Sequence, residues 1–167
     1  RPVLEDEAIK KVGHNFKYDL HVLRRAGVEV RGVAFDTMIA GFLLGTPGQG
    51  MDYLALSELD HTTMPISELI GPRPRRKSDP PQKTMDQIAL ARVTPYAAED
   101  ADITMRLYER FKPRISEWGM DTLMDDVEVP LVKVLADMES RGIKVDPDEL
   151  QRQEDRLTKR INELKSQ

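Results

Sequence analysis

An α/β fold is what this sequence predicts, on three observations. Between residues 8 and 45, strand-like and helix-like runs alternate as strand, helix, strand, helix. Glycines 13, 27 and 45 punctuate the run ends, and this order favours a parallel layer, because consecutive parallel strands are joined through a helix. Further on, a helical stripe of Ile103 and Leu107 steps back by three and then four residues onto Asp100 and Tyr96. With 40% hydrophobic and 32% charged residues over 167 positions, the chain has the mix of a globular protein. That length suits one good core, or one domain and the start of another.

Residues 8–12 form a short, partly apolar run ending at Gly13, a strand signal. Asn15 then caps a helix over 16–26, closed by Arg24 and Arg25 in its last turn and Gly27 just beyond. Residues 28–35 read as a strand interrupted by Gly32. Asp36 or Thr37 starts a helix that runs to Leu44 and ends at Gly45. Met51, Leu54, Ala55 and Leu59 mark a short amphipathic helix, and 65–71 adds a turn or two. The clearest loop is 72–83, with four prolines and the basic cluster Arg73, Arg75, Arg76 and Lys77. Thr84 and Gln87 stand at capping-box spacing and restart a helix through about Arg92.

Thr94 as N-cap and Pro95 at the first helical position, where a missing N–H costs nothing, begin the helix of the stripe. It reaches about Phe111, and Pro113 ends it. From Gly119 the character changes. Val127, Leu131, Val134, Leu135 and Met138 make a helical stripe that halts at Gly142, and 143–145 is a short strand. Leu150, Leu157, Ile161 and Leu164 then run along a heavily charged helix. The change places a domain boundary near 115–126, dividing the chain into 1–118 and 119–167.

Net charge is −4, so no global basic field draws the chain onto nucleic acid, and any such contact needs a local patch. Without cysteine there are no disulfides or thiolate metal sites. The longest aliphatic run, Met38 to Leu44, is too short to cross a bilayer, and no signal peptide is visible. The chain begins at Arg1 and stops inside a charged helix, so it reads as a fragment of a longer polypeptide.

Chemistry is carried by carboxylates on apolar faces. Asp100 sits on the stripe of its helix beside Tyr96, and Asp19 sits between Phe16 and Leu23, four residues after Asn15. An inward carboxylate is costly unless donors or a cation meet it. First-turn N–H groups could satisfy Asp100; Lys17, His14 or an arginine could satisfy Asp19. Paired carboxylates without thiols suit a hard divalent ion, Mg²⁺ or Mn²⁺, and two such ions bracketing a phosphodiester would activate water and stabilise the leaving oxygen. A site of that kind needs about four carboxylates, so this sequence is short of ligands. Helix capping accounts for Asp36. Glu99 and Asp102 face away from the stripe as first-turn charge. His14, His21 and His61 lack zinc spacing, and His61 reads as a loop residue. The 73–77 cluster reads as a solvated basic loop, with phosphate contact as the alternative.

Three stretches, Gly13-His14-Asn15-Phe16-Lys17-Tyr18-Asp19, Phe35-Asp36-Thr37-Met38 and Tyr96-Ala97-Ala98-Glu99-Asp100-Ala101-Asp102, together resemble the 3′–5′ exonuclease domain of bacterial family A DNA polymerases. The first matches Asn-x-x-x-Asp and the last Tyr-x-x-x-Asp of the DEDD exonucleases, tyrosine subclass. Residues 127–146 resemble the base of the polymerase thumb. The resemblance implies a ribonuclease H-like fold, its early sheet strands missing, followed by the helical start of a polymerase domain. It implies Asp100 and Asp19 as catalytic metal ligands, Asp19 through water, in a two-metal Mg²⁺ or Mn²⁺ site. Tyr96 would orient the nucleophilic water. Asn15 would hold the DNA end or fix the helix that bears Asp19. The implied partner is DNA, a single-stranded 3′ end or primer-template, acted on by a monomer in the bacterial cytoplasm with no membrane.

The family's first motif, Asp-x-Glu on an opening strand, is absent; the only acids before Asn15 are Glu5, Asp6 and Glu7. Proofreading is therefore expected of a parent polymerase, with this chain inactive by itself. A non-catalytic scaffold domain of the same family is the alternative. A stand-alone RNA-trimming exonuclease is disfavoured by the thumb-like stretch.

Overall fold

Two short strands, β1 (Lys11–Gly13) and β2 (Val33–Asp36), pair in parallel in a computed structural model describing residues 1–76 and 78–166. They are the only sheet among the described residues, so the predicted α/β class takes a largely helical form. The register sets Gly13 beside Asp36 after a bulge between Lys11 and Val12. Both strands are shorter than the sequence suggested. Gly32, at φ +70°, breaks the second, and Arg31 instead donates its N–H to the Leu4 carbonyl of α1 (Pro2–Glu5). Ahead of β1, the Asp6 carboxylate holds Ala8 N–H in a turn, so 8–10 lie outside the sheet.

Helix α2 (Phe16–Arg25) crosses over between the strands and buries Phe16 and Leu20. Helices α3 (Thr37–Leu43), α4 (Met51–Leu59) and α5 (Ser67–Ile70) follow where expected. The capping box at Thr84 and Gln87 forms, but it closes only a 3₁₀ turn, Met85–Gln87. The next helix, α6, runs from Leu90 to Glu117 with Pro95 and Pro113 inside it. Thr94 and Pro95 thus do not start it, and Pro113 does not end it. An internal proline costs about 3 kcal/mol, but Ile103, Leu107, Phe111 and Ile115 recur every four residues and are fully buried on both sides of Pro113. Burying a residue of this kind contributes about 1.5–3 kcal/mol, so the packed face overrides the local breaker. Thr94, released from capping, turns its hydroxyl back to the Leu90 carbonyl at 2.8 Å. The α6 face joins Phe35, Ala40, Leu44, Leu54, Ala55 and Met124 in the main core.

The segment after Gly119 is helical from Asp121: α7 (Asp121–Leu123), a π turn (Met124–Glu128) and α8 (Val129–Arg141). The π turn widens the helix just ahead of Pro130, whose ring would otherwise meet the carbonyl four residues back. The predicted stripe is not the buried one: Val127, Val134 and Met138 are at least half exposed, while Met124, Val132 and Ala136 are buried. Because these three pack onto the cores, the first compact unit extends to Ala136, past the change in character at Gly119. The second unit is Asp137–Gln167. In it, 143–145 form no strand, and α9 (Pro147–Lys165) starts from Asp146, which accepts the N–H groups of Asp148 and Glu149. Its Leu150, Leu157, Ile161 and Leu164 are exposed. No helix among the described residues is long and apolar enough to cross a membrane.

Candidate active site

The chain leaves β1 through Gly13, where a Cβ would lie 2.1 Å from the Phe16 ring; only glycine lets that ring pack against the strand end. Asn15 follows in the left-handed region at φ 56°, which asparagine tolerates. Its side chain makes no capping bond, contrary to expectation. The cap comes from the neighbouring strand. The buried Asp36 carboxylate accepts Asn15 N–H at 3.1 Å and Phe16 N–H at 2.7 Å, and also Met38 N–H at 2.9 Å and Ile39 N–H at 3.3 Å. One carboxylate thereby caps both α2 and α3, and the Asn15 amide stays exposed.

Asp19 lies one turn on. It flanks the Phe16–Leu20 face and is exposed, rather than lying on the buried stripe. Desolvation by its surroundings, with a smaller push from Asp36, still holds its carboxyl above the ordinary range. His14 Nδ1 is 2.9 Å from Thr37 Oγ1, which donates to the Gly13 carbonyl. Burial lowers the His14 pKa against the opposing influence of Asp36 and Asp52, so the ring is neutral at pH 7.

Tyr96 and Asp100 are partly buried on α6, on the extension of the Ile103–Ile115 face. The phenol interacts with the carboxylate one turn on. Desolvation, then Glu99 and Asp52, raise the Asp100 carboxyl, and Tyr96 opposes them. Desolvation and the charge of Asp100 raise Tyr96, keeping it protonated. Because folded Asp100 binds its proton more tightly than the unfolded chain does, stability falls as pH rises from the ordinary value of 3.8 through the raised one. Asp100→Asn should accordingly raise the melting temperature by about 1–3 °C at pH 7. The gain should vanish below pH 3.8, where both states are protonated; scanning calorimetry at the two pH values is the check.

Asp102 is exposed and pairs with Arg106 at 3.7 Å, as a solvated charge should. Glu99 does not behave that way. Its carboxylate receives Met64 N–H at 2.7 Å and sits 2.9 Å from His61 Nε2, tying α6 to the segment between α4 and α5. Asp52, in the first turn of α4, accepts the Thr63 hydroxyl at 2.8 Å and acts on Tyr96, Asp100 and His14. Nothing in its local sequence marked it beyond a first-turn acid.

Tyr96, Asp100, Glu99 and Asp52 thus form one group, and Asp19, Asp36 and His14 another, linked through His14 and Asp52. Among the described residues no three histidines or acids converge to hold a metal ion. A cleft of about 450 Å³ lined by Glu7, Leu20, Arg24, Val33, Asp125 and Lys133, among others, contains none of the predicted site residues.

Residues 1–116 match the family model described as 3′–5′ exonuclease. DNA polymerase I of Rhizobium leguminosarum is 42% identical over 148 residues, covering 87% of this chain and 14% of that protein. DNA polymerase I of Pseudomonas aeruginosa is 39% identical over 151 residues, covering 87% and 16%. The Chloroflexus aurantiacus DNA polymerase I is 39% identical over 157 residues, covering 92% and 16%. The chain therefore spans about a sixth of the length of these curated relatives.

Proposed function

This chain belongs to the 3′–5′ exonuclease family of the family A DNA polymerases, and from that membership we propose that it forms most of a proofreading domain hydrolysing the 3′-terminal phosphodiester of DNA. The observation carrying this reading is the Tyr96–Asp100 pair, a protonated phenol beside a carboxylate whose surroundings disfavour its charge. The fold proposed is ribonuclease H-like. Residues 1–118 belong to the exonuclease domain and 119–167 to the base of a polymerase thumb, Gln167 lying outside the described residues.

Exonuclease domains of this family use divalent metals. The donors suit a hard ion: oxygen ligands only, on carboxylates that desolvation and neighbouring acids hold above their ordinary pKa, so a cation would relieve them. Asp100 would hold one Mg²⁺ or Mn²⁺ and Asp19 the second through water. When bound, such a pair supplies an activated water and stabilises the leaving oxygen. Tyr96 orients the attacking water through its hydroxyl. Asn15, its amide exposed at the start of α2, contacts the single-stranded 3′ end. In this reading the parent polymerase acts as a monomer.

Two carboxylates are half of what a two-metal site requires, and Asp-x-Glu does not occur before Asn15. The 167-residue chain should thus release no nucleotides from a labelled single-stranded oligonucleotide in Mg²⁺. Trimming that disappears in Asp100→Ala would overturn that expectation. A non-catalytic scaffold is the second reading, favoured by the lack of a three-ligand cluster among the described residues. A metal-dependent exonuclease activity in a polymerase that carries this segment would exclude it.

A further inference from the structure

We infer that the arginine loop between α5 and the 3₁₀ turn is a phosphate-tracking surface for single-stranded DNA leading to the Tyr96–Asp100 site. The inference rests on the exonuclease reading above and names the surface that would hold its substrate. Residues 71–83 contain five basic residues and one acid in a chain whose net charge is −4. Such a concentration is a local patch of the kind an acidic protein needs to engage a polyanion.

The three described arginines, Arg73, Arg75 and Arg76, are exposed, and no carboxylate among the described residues pairs with their guanidinium groups. Lys77 lies outside the described residues. The one acid, Asp79, is directed elsewhere: its Oδ2 accepts the backbone N–H groups of Arg75 at 2.8 Å and Arg76 at 2.9 Å, shaping the turn. Elsewhere in the chain, Arg110 and Arg114 share Glu58, Arg106 meets Asp102, and Arg152 meets Glu149. Here the side chains stay open to a ligand.

The loop is also held in place. Lys83 N–H donates to the Ile70 carbonyl at 2.9 Å, and the Gln82 amide donates to the Gly71 carbonyl at 2.7 Å, closing its neck. Prolines 72, 74, 80 and 81 fix φ within it, lowering the ordering cost of binding. Two contacts attach α5 and the segment before it, which lead into the loop, to the catalytic helix: Arg92 donates to the Glu68 carbonyl at 2.6 Å, and Glu99 accepts the Met64 N–H at 2.7 Å. Leu90, where α6 begins, precedes Tyr96 by about 9 Å and Asp100 by about 15 Å along the axis. The loop therefore stands at the N-terminal end of the helix that carries the chemistry, within reach of a strand whose 3′ end lies at Asp100. Arginine suits the task because its planar fork pairs with phosphate oxygens without reading bases.

The test is fluorescence anisotropy of this chain with a 5′-labelled oligothymidylate across a salt series. Replacing Arg73, Arg75 and Arg76 together with glutamine should reduce the magnitude of the slope of log K against log salt by about 2, since each contact to a single strand contributes about 0.7. The triple lysine variant should keep the slope, separating charge from loop folding. An unchanged slope in the glutamine variant, with the unsubstituted chain binding normally, overturns the inference and leaves the exonuclease reading standing. Equal losses for single-stranded oligothymidylate and blunt duplex would overturn the single-strand assignment. Failure of the unsubstituted chain to bind oligothymidylate at low salt overturns the inference outright, whereas Asp100-dependent hydrolysis by a polymerase carrying the segment tests the other reading separately.

Discussion

Asp36→Ala should cost this chain about 3 kcal/mol of stability and lower its melting temperature by about 6–12 °C. The carboxylate is 2% exposed and receives four backbone N–H groups, two from the start of α2 and two from the start of α3. Loss of one helix cap typically costs about 1 kcal/mol. Here two are lost together, and donors left in a buried setting add their desolvation cost. Asp36→Asn should recover only part of the loss, because its amide group would face N–H donors with one oxygen remaining. Urea unfolding followed by circular dichroism would measure both. A change below about 1 kcal/mol for the alanine variant would mean that water replaces the carboxylate, contrary to its burial.

The second large effect concerns chemistry. In a polymerase carrying this segment, Asp100→Ala should reduce Mg²⁺-dependent 3′–5′ hydrolysis of single-stranded DNA by about 10³-fold or more, with nucleotide incorporation unchanged. Tyr96→Phe should cost less, about 10²-fold, because a positioning hydroxyl is lost while the carboxylate remains. The pH profile separates a functional from a merely structural tyrosine. Tyr96 lowers the Asp100 carboxyl, so its removal should move the acid limb of the profile to higher pH. Rates measured from pH 5 to 9 on a labelled oligonucleotide would decide it; full activity in the Asp100 variant would remove the residue from the site.

Local patterns explain which parts of the fold were readable. Strand, helix, strand, helix became β1, α2, β2 and α3 in parallel pairing, because glycines 13, 27 and 45 mark where the runs end. The stripe of Ile103 and Leu107 proved to be the fully buried face of α6. Proline misled the boundaries of that helix: Pro95 and Pro113 are strong local breakers, yet both lie inside it, and around Pro113 the buried Ile103, Leu107, Phe111 and Ile115 outweigh the cost. The stripe from Val127 to Met138 misled in another way. Its residues are all apolar, yet Met124, Val132 and Ala136 are the ones that meet the core.

Helical periodicity alone set the spacing of the site, Tyr96 one turn before Asp100 and Asn15 one turn before Asp19, and so it was legible in the chain. What surrounds those groups depends on the assembled fold. It made Asp36, not Asn15, the cap of α2, turned Glu99 from a surface charge into the anchor of Met64 and His61, and brought Asp52 to bear on Asp100. The reason is physical. Spacing along a helix follows from backbone geometry within a few residues, whereas capping across strands, desolvation and like-charge repulsion depend on atoms brought together from distant parts of the chain.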